Sequence, residues 1–183
     1  LQQQLLIAMP AMADPNFSRS VTLLCQHNEE GAIGITINRQ SGFTLGELLF
    51  QLNIPCEDDQ LTSMAVLEGG PVSRDHGFVL HTPMDGFNSS VLINDDIMVT
   101  TSRDVLAAIA AGQGPEQYIV ALGYAGWGPG QLEGEIQANG WLTAAAFVVV
   151  ETDGTDPFAW PEGFTAIDRR KHGRATLHFG QAD

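Results

Sequence analysis

The chain has 183 residues, 44% hydrophobic and 16% charged, and its 22 acids against 8 bases give a formal net charge of -14. That is enough apolar material for one well-buried domain, and it excludes an intrinsically disordered chain. The charge disfavours direct nucleic-acid binding and anionic membrane surfaces, because both depend on cations meeting phosphate.

The elements follow in chain order. Leu5 to Met9 with Ala11-Met12-Ala13 imitates a short leader, but Gln2 to Gln4 carry no positive charge and Pro10 interrupts the apolar run. Residues 20–26 read as a strand, His27 to Gly31 as a turn and residues 32–38 as the returning strand, with Gly34 at a bulge or a close approach. Thr44 with Glu47 three residues on predicts a capped helix, apolar along Leu45, Leu48, Leu49 and Leu52, and ended by Pro55. Strands are predicted at 64–67 and 77–81 around the turn Gly69-Gly70-Pro71, and a hairpin at 91–93 and 97–100 around Asn94-Asp95-Asp96.

A second helix is predicted over 102–111, stopped by Gly112, and residues 118–122 form a fully apolar strand. Gly123 to Gly130 reads as a glycine-rich loop leading into a third helix over 130–138. The apolar run 141–150 predicts a buried central strand, followed by turn-rich sequence and a last short strand at 175–179. Consecutive hairpins with only one clear strand-helix-strand unit favour α+β over a doubly wound parallel fold. The expectation is a single domain, 1–183, with about three helices on a mixed, mostly antiparallel sheet.

Several blocks resemble one family in the same order. They are Leu6-Ile7-Ala8-Met9-Pro10, Asp14-Pro15-Asn16-Phe17, Arg19-Ser20-Val21, and Cys25 to Ala32 leading into Ile37-Asn38-Arg39. Gly69-Gly70-Pro71-Val72 with Gly77 to His81, and Ala121 to Gly128 with Gly130 to Glu133, continue the match. Over residues 6 to about 145 the chain resembles the AlgH/YqgE family of small bacterial proteins. Gln40 departs from the family pattern, and the match fades from Phe147 onward. The resemblance implies a sheet curled into a partial barrel and a role as a transcriptional regulator. It transfers no catalytic residue and implies no cofactor.

Cys25 and His27 lie two apart on a predicted strand, so a thiol beside an imidazole is the candidate reactive pair of a small hydrolase or thiol-dependent enzyme. The opposing reading is a core cysteine beside a turn histidine, with acids rather than cations nearby in Glu29 and Glu30. Two cysteines, Cys25 and Cys56, make no disulfide framework and no CxxC motif, which points to reduced thiols in the cytoplasm. No His/Cys/Asp/Glu spacing suggests a metal, and the glycine-rich segment lacks the GxGxxG and GxxxxGK[ST] spacings of phosphate binders.

Bases are scarce. Before residue 168 they are Arg19, Arg39, Arg74 and Arg103; Arg169, Arg170, Lys171 and Arg174 make up the rest. Asn38 and Arg39 at a strand end, the Gly69-Gly70-Pro71 turn and Trp127 form the candidate binding surface. They combine a scarce guanidinium, free backbone donors and a large aromatic, which suit a protein partner or a small anionic ligand. The leading expectation is a non-catalytic binding or regulatory accessory protein.

Overall fold

The computed structural model describes residues 3–8, 14–138, 147–152, 159–160, 164–172 and 175–182, which fall into two compact units, Leu1–Gly130 and Gln131–Asp183. The first unit contains β1 (Leu5–Ile7), β2 (Val21–Asn28), β3 (Gly31–Thr36), β4 (Gln40–Thr44), α1 (Leu45–Gln51) and α2 (Asp59–Thr62). It continues with β5 (Ala65–Glu68), β6 (Val72–His81), β7 (Ser90–Leu92), β8 (Met98–Thr100), α3 (Arg103–Ala110) and β9 (Tyr118–Trp127).

The sheet runs β1-β2-β3-β9-β6-β8-β7, with β4 joined through β5 to β9. Every described pairing in it is antiparallel except β5 with β9. The two ends of that order approach one another. Gln3, just before β1, donates through its side-chain amide to the carbonyl of Ile93, just after β7. The sheet is thus curled into a partial barrel within an α+β fold.

α1 forms where its cap requires. Glu47 N–H donates to Thr44 Oγ1 at 3.3 Å and Thr44 N–H donates to Glu47 Oε2 at 2.8 Å, satisfying two otherwise orphaned amides. Leu45 and Leu49 are buried on its inner face. The short α2 falls outside the three expected helices. Asp58 caps it by accepting from Gln60 N–H and Leu61 N–H, a signal that one turn of helix gives too weakly to read from periodicity.

Two apolar clusters follow from this arrangement. One joins Leu45 and Leu49 of α1 and Val105, Leu106 and Ile109 of α3 to Val79 of β6 and Val120 of β9. The other joins Leu23, Ile35, Leu80, Val99 and Ala121. Adjacent residues of β6 and β9 enter different clusters, so the central strands are covered on both faces, as their unbroken apolar runs require.

The second unit contains α4 (Gln131–Ala138) and a three-stranded antiparallel sheet in the order β10 (Phe147–Thr152), β12 (Ala175–Ala182), β11 (Phe164–His172). Of the run 141–150, residues 141–146 lie outside the described residues. The remainder belongs to β10, which among the described residues pairs with β12 alone and is an end strand, not a central one. β11 replaces the expected turn-rich stretch. Its Asp168-Arg169-Arg170-Lys171 reads as solvated loop in isolation, yet it pairs with β12 at the end of the sheet, with Arg169 and Lys171 exposed.

Candidate functional site

β5 and β6 lie on opposite sides of β9: Glu68 is opposite Leu122, and Val72 is opposite Tyr124. Residues 69–71 must therefore carry the chain across β9, over two strand spacings, about 9.6 Å. That crossing is what the glycines are for. A Cβ on Gly69 would stand 2.2 Å from Gly123 O, and one on Gly70 would stand 2.2 Å from the carbonyl carbon of Tyr124. Gly123, at φ +74°, would reciprocally meet Gly70 O at 2.4 Å. The expected Gly123–Gly130 loop is corrected accordingly: β9 runs to Trp127, and Gly123 serves a backbone crossing within a strand, not a turn. Gly34 resolves the same way, as a close approach whose Cβ would lie 2.6 Å from Thr22 Cγ2. The bulge sits on the facing strand, between Leu24 and Gln26.

Asn38, Arg39 and Trp127 converge on one feature, the compact turn from Asp14 to Ser20. The turn is closed by Ser18 N–H to Asp14 O at 2.7 Å and Ser20 N–H to Phe17 O at 2.9 Å. Asn38 Oδ1 accepts from Val21 N–H at 2.8 Å, and its amide donates to Arg19 O at 2.9 Å. Arg39 reaches the same turn through one guanidinium nitrogen, donating to Pro15 O at 2.8 Å and Asn16 O at 2.6 Å. Its other terminal nitrogen lies 3.4 Å from Glu68 Oε2. Trp127, only 8% exposed, stacks on Phe17 with ring centroids 6.0 Å apart. Glu68 directly precedes Gly69 and Gly70, and its N–H donates to Arg39 O at 2.8 Å. Asn38, Arg39, Gly69, Gly70 and Trp127 are thus tied into one neighbourhood, with Pro71 completing the crossing.

Sequence reasoning missed three contributors. Arg74 lies 3.6 Å from Glu68 Oε1 and donates to Asn16 Oδ1 at 3.5 Å, so Glu68 is held between two arginines. Arg74 projects from a β6 segment, Ser73 to His76, that is exposed and sits within the register shift between Val72 and Gly77. Phe17 is the third. Arg74's scarcity was its signal; for Glu68 and Phe17 no local pattern existed.

The other candidate pair has a different setting. Cys25 is the extra residue of the β2 bulge, buried, with its thiol directed to Leu23 O at 3.6 Å. Burial pushes that thiol up to about 11, so it is protonated at neutral pH, opposite to the depressed value an activated nucleophile requires. His27, half-buried, pairs with Ala32 near the hairpin end. Among the described residues no group of three His, Cys, Asp or Glu side chains is placed to hold a metal ion, and no helix is long and apolar enough to cross a membrane.

A family model described as AlgH-like (DUF179) matches residues 5–166. A UPF0301 protein of Xanthomonas campestris pv. campestris is 49% identical over 170 residues, covering 92% of this chain and 90% of its own length. A UPF0301 protein of Xanthomonas oryzae pv. oryzae is 54% identical over 144 residues, covering 79% and 77%. The solution structure of the AlgH protein from Pseudomonas aeruginosa superposes with a TM-score of 0.66 at 47% identity, over 75% of this chain and 73% of that one. A crystal structure of a Corynebacterium diphtheriae protein shares the fold, with a TM-score of 0.57 at 21% identity over 73% and 69%. With its crossing, its curled sheet and a match across most of its length, the chain belongs to the AlgH-like family.

Proposed function

We propose that this protein is a non-catalytic regulatory accessory protein of the bacterial cytoplasm, acting on transcription through a protein partner and not through DNA. The observation that carries this reading is the placement of its cations. Three of the four arginines of the first unit, Arg19, Arg39 and Arg74, gather at the Asp14–Ser20 turn of an otherwise acidic surface. Arg39 is committed to holding the turn. Arg74 shares Glu68 and contacts Asn16 but is 61% exposed, and Arg19 is exposed as well, so these two present charge to an incoming partner. The geometry suits an acidic segment, whose carboxylates match guanidinium donors and whose backbone fits beside a rigid turn.

The test is quantitative mass spectrometry of proteins captured from cell extract by the wild type, by Arg19→Glu/Arg74→Glu and by Cys25→Ala. The expected result is a partner lost from the double charge variant and retained by the cysteine variant. Identical captured sets for wild type and charge variant would remove the basis for this surface. In parallel, sequence-selective, sub-micromolar binding of the purified protein to a promoter duplex at physiological salt would overturn the accessory reading.

A further inference from the structure

We propose that the open end of the partial barrel is a binding site for a small amphiphile with an apolar body and an amine head group. The curled sheet leaves an open groove of about 570 Å³, within the range of small-molecule sites. Leu5, Leu23, Ile37, Leu80, Ile97 and Ile119 line it. Leu23 and Leu80 belong to the barrel-side apolar cluster and Ile37, Ile97 and Ile119 pack against it, so the floor of the groove is continuous with that core. Gln3 and Leu5 bring the β1 side of the seam to the groove, and across that seam to β7 the described residues give the Gln3 to Ile93 bond and no strand ladder.

The polar residues gather at one end. Met98, His81 and Tyr118 stand in one register row across β8, β6 and β9. Thr82 follows His81, Gln117 precedes Tyr118, and Asp96 leads into Met98, so all three sit just beyond that row and all three line the groove. Thr82 Oγ1 accepts from Gln117 N–H at 3.4 Å. Asp96 is exposed at the rim of the groove, its carboxylate accepts no hydrogen bond from a described residue, and it contributes the one formal charge of the lining. A carboxylate or phosphate head would be repelled there, while an ammonium head would find the acceptor it needs with its chain among the leucines and isoleucines. This end of β9, at residues 117–119, is opposite the end that carries the arginine-bearing turn, so the two sites fail or succeed separately.

The test uses the purified full chain and N-phenyl-1-naphthylamine, a neutral fluorescent amine that brightens in apolar surroundings. Saturable one-to-one binding is expected, displaced by decylamine at concentrations about ten-fold below those needed for decanoate, a difference of about one decade in affinity. Asp96→Asn should bring decylamine to the level of decanol. Ile119→Trp and Ile97→Trp should each fill the groove and weaken probe binding by about ten-fold or more. Ile97 lies in the β7–β8 connection, so its variant tests the idea if the Ile119 variant proves unstable. Absence of saturable binding, binding that survives both tryptophans in folded protein, or decanoate displacing as well as decylamine would overturn the proposal.

Discussion

Replacing Arg39 with alanine removes two hydrogen bonds to the Pro15 and Asn16 carbonyls and one ion-pair contact to Glu68. Bonds from a charged donor are worth about 1.5–3 kcal/mol each when protected. Here the guanidinium is 29% exposed and the orphaned carbonyls can turn to water, so about 1 kcal/mol apiece is appropriate. The ion pair is partly solvated and adds about 0.5 kcal/mol. The sum, about 2–3 kcal/mol, predicts a fall in Tm of about 4–12 °C for a protein of this size. Lysine at the same position keeps the charge but not the fork and should recover less than half of the loss. Thermal unfolding followed by circular dichroism measures the total, and hydrogen exchange locates it: the amides of Ser18 and Ser20, which close the turn, should lose protection before those of β9. A Tm within about 1 °C of wild type would refute the strap and return Arg39 to the pool of exposed charges.

Gly70→Ala places a Cβ against β9 backbone that cannot yield, so urea denaturation should show a loss above about 3 kcal/mol or no folded protein, whereas Gly134→Ala, in exposed helix with open space around it, should stabilise by about 0.5–1 kcal/mol. Cys25 has a folded value of about 11 against an ordinary 9.0, so its proton is held more tightly in the native state. Its contribution is complete below pH 9 and is lost as pH rises toward 11, at about 1.4 kcal/mol per unit, and Cys25→Ala should flatten that alkaline slope in pH-dependent urea melts. Iodoacetamide at pH 8 should label Cys56, which is partly exposed, well before Cys25, as peptide mass spectrometry would resolve. Asp104 is slightly desolvated, but hydrogen bonds from Asn88, Ser102 and Val105 outweigh this and hold its carboxyl below the ordinary range. Its stabilisation is therefore present above the unfolded carboxylate value and lost on acidification, and Asp104→Asn should remove that acid-side dependence from the unfolding profile.

Local chemistry made much of this architecture readable in advance. The Thr44 and Glu47 pair announces α1 because capping is settled within four residues, and the apolar run from Tyr118 announces a strand covered on both faces because nothing along it is fit for water. The hairpin of β2 and β3 is equally local. The β11 strand was illegible because its charges outweigh its pattern, and the long β9 because two of its glycines imitate a loop. At the candidate surface the residues named from the sequence lie near one another, but Gly69, Gly70 and Trp127 are buried, and the roles of the rest were not legible. Arg39 stands out as a rare cation, yet its partners are carbonyls more than twenty residues earlier and a glutamate nearly thirty residues later, which only the folded register brings together. Glu68 and Phe17 matter solely through such distant contacts, and no window along the chain contains them.

The crossing of residues 69–71 over β9 also dictates an order of events during synthesis. The strand that fills the gap between β5 and β6 is the last of the first unit to leave the ribosome, and the connection that spans it is already made. Until residue 127 has emerged, β3, β5 and β6 each wait with an unpaired edge, and contacts this remote in sequence close slowly. β9 pairs with strands on both of its sides only after it emerges, so the nascent chain exposes strand edges for longer than a simple meander would. A release-stalled chain ending before β9 should be held by chaperones and cut by proteases, while one extended past Trp127 by enough residues to clear the exit tunnel should resist both.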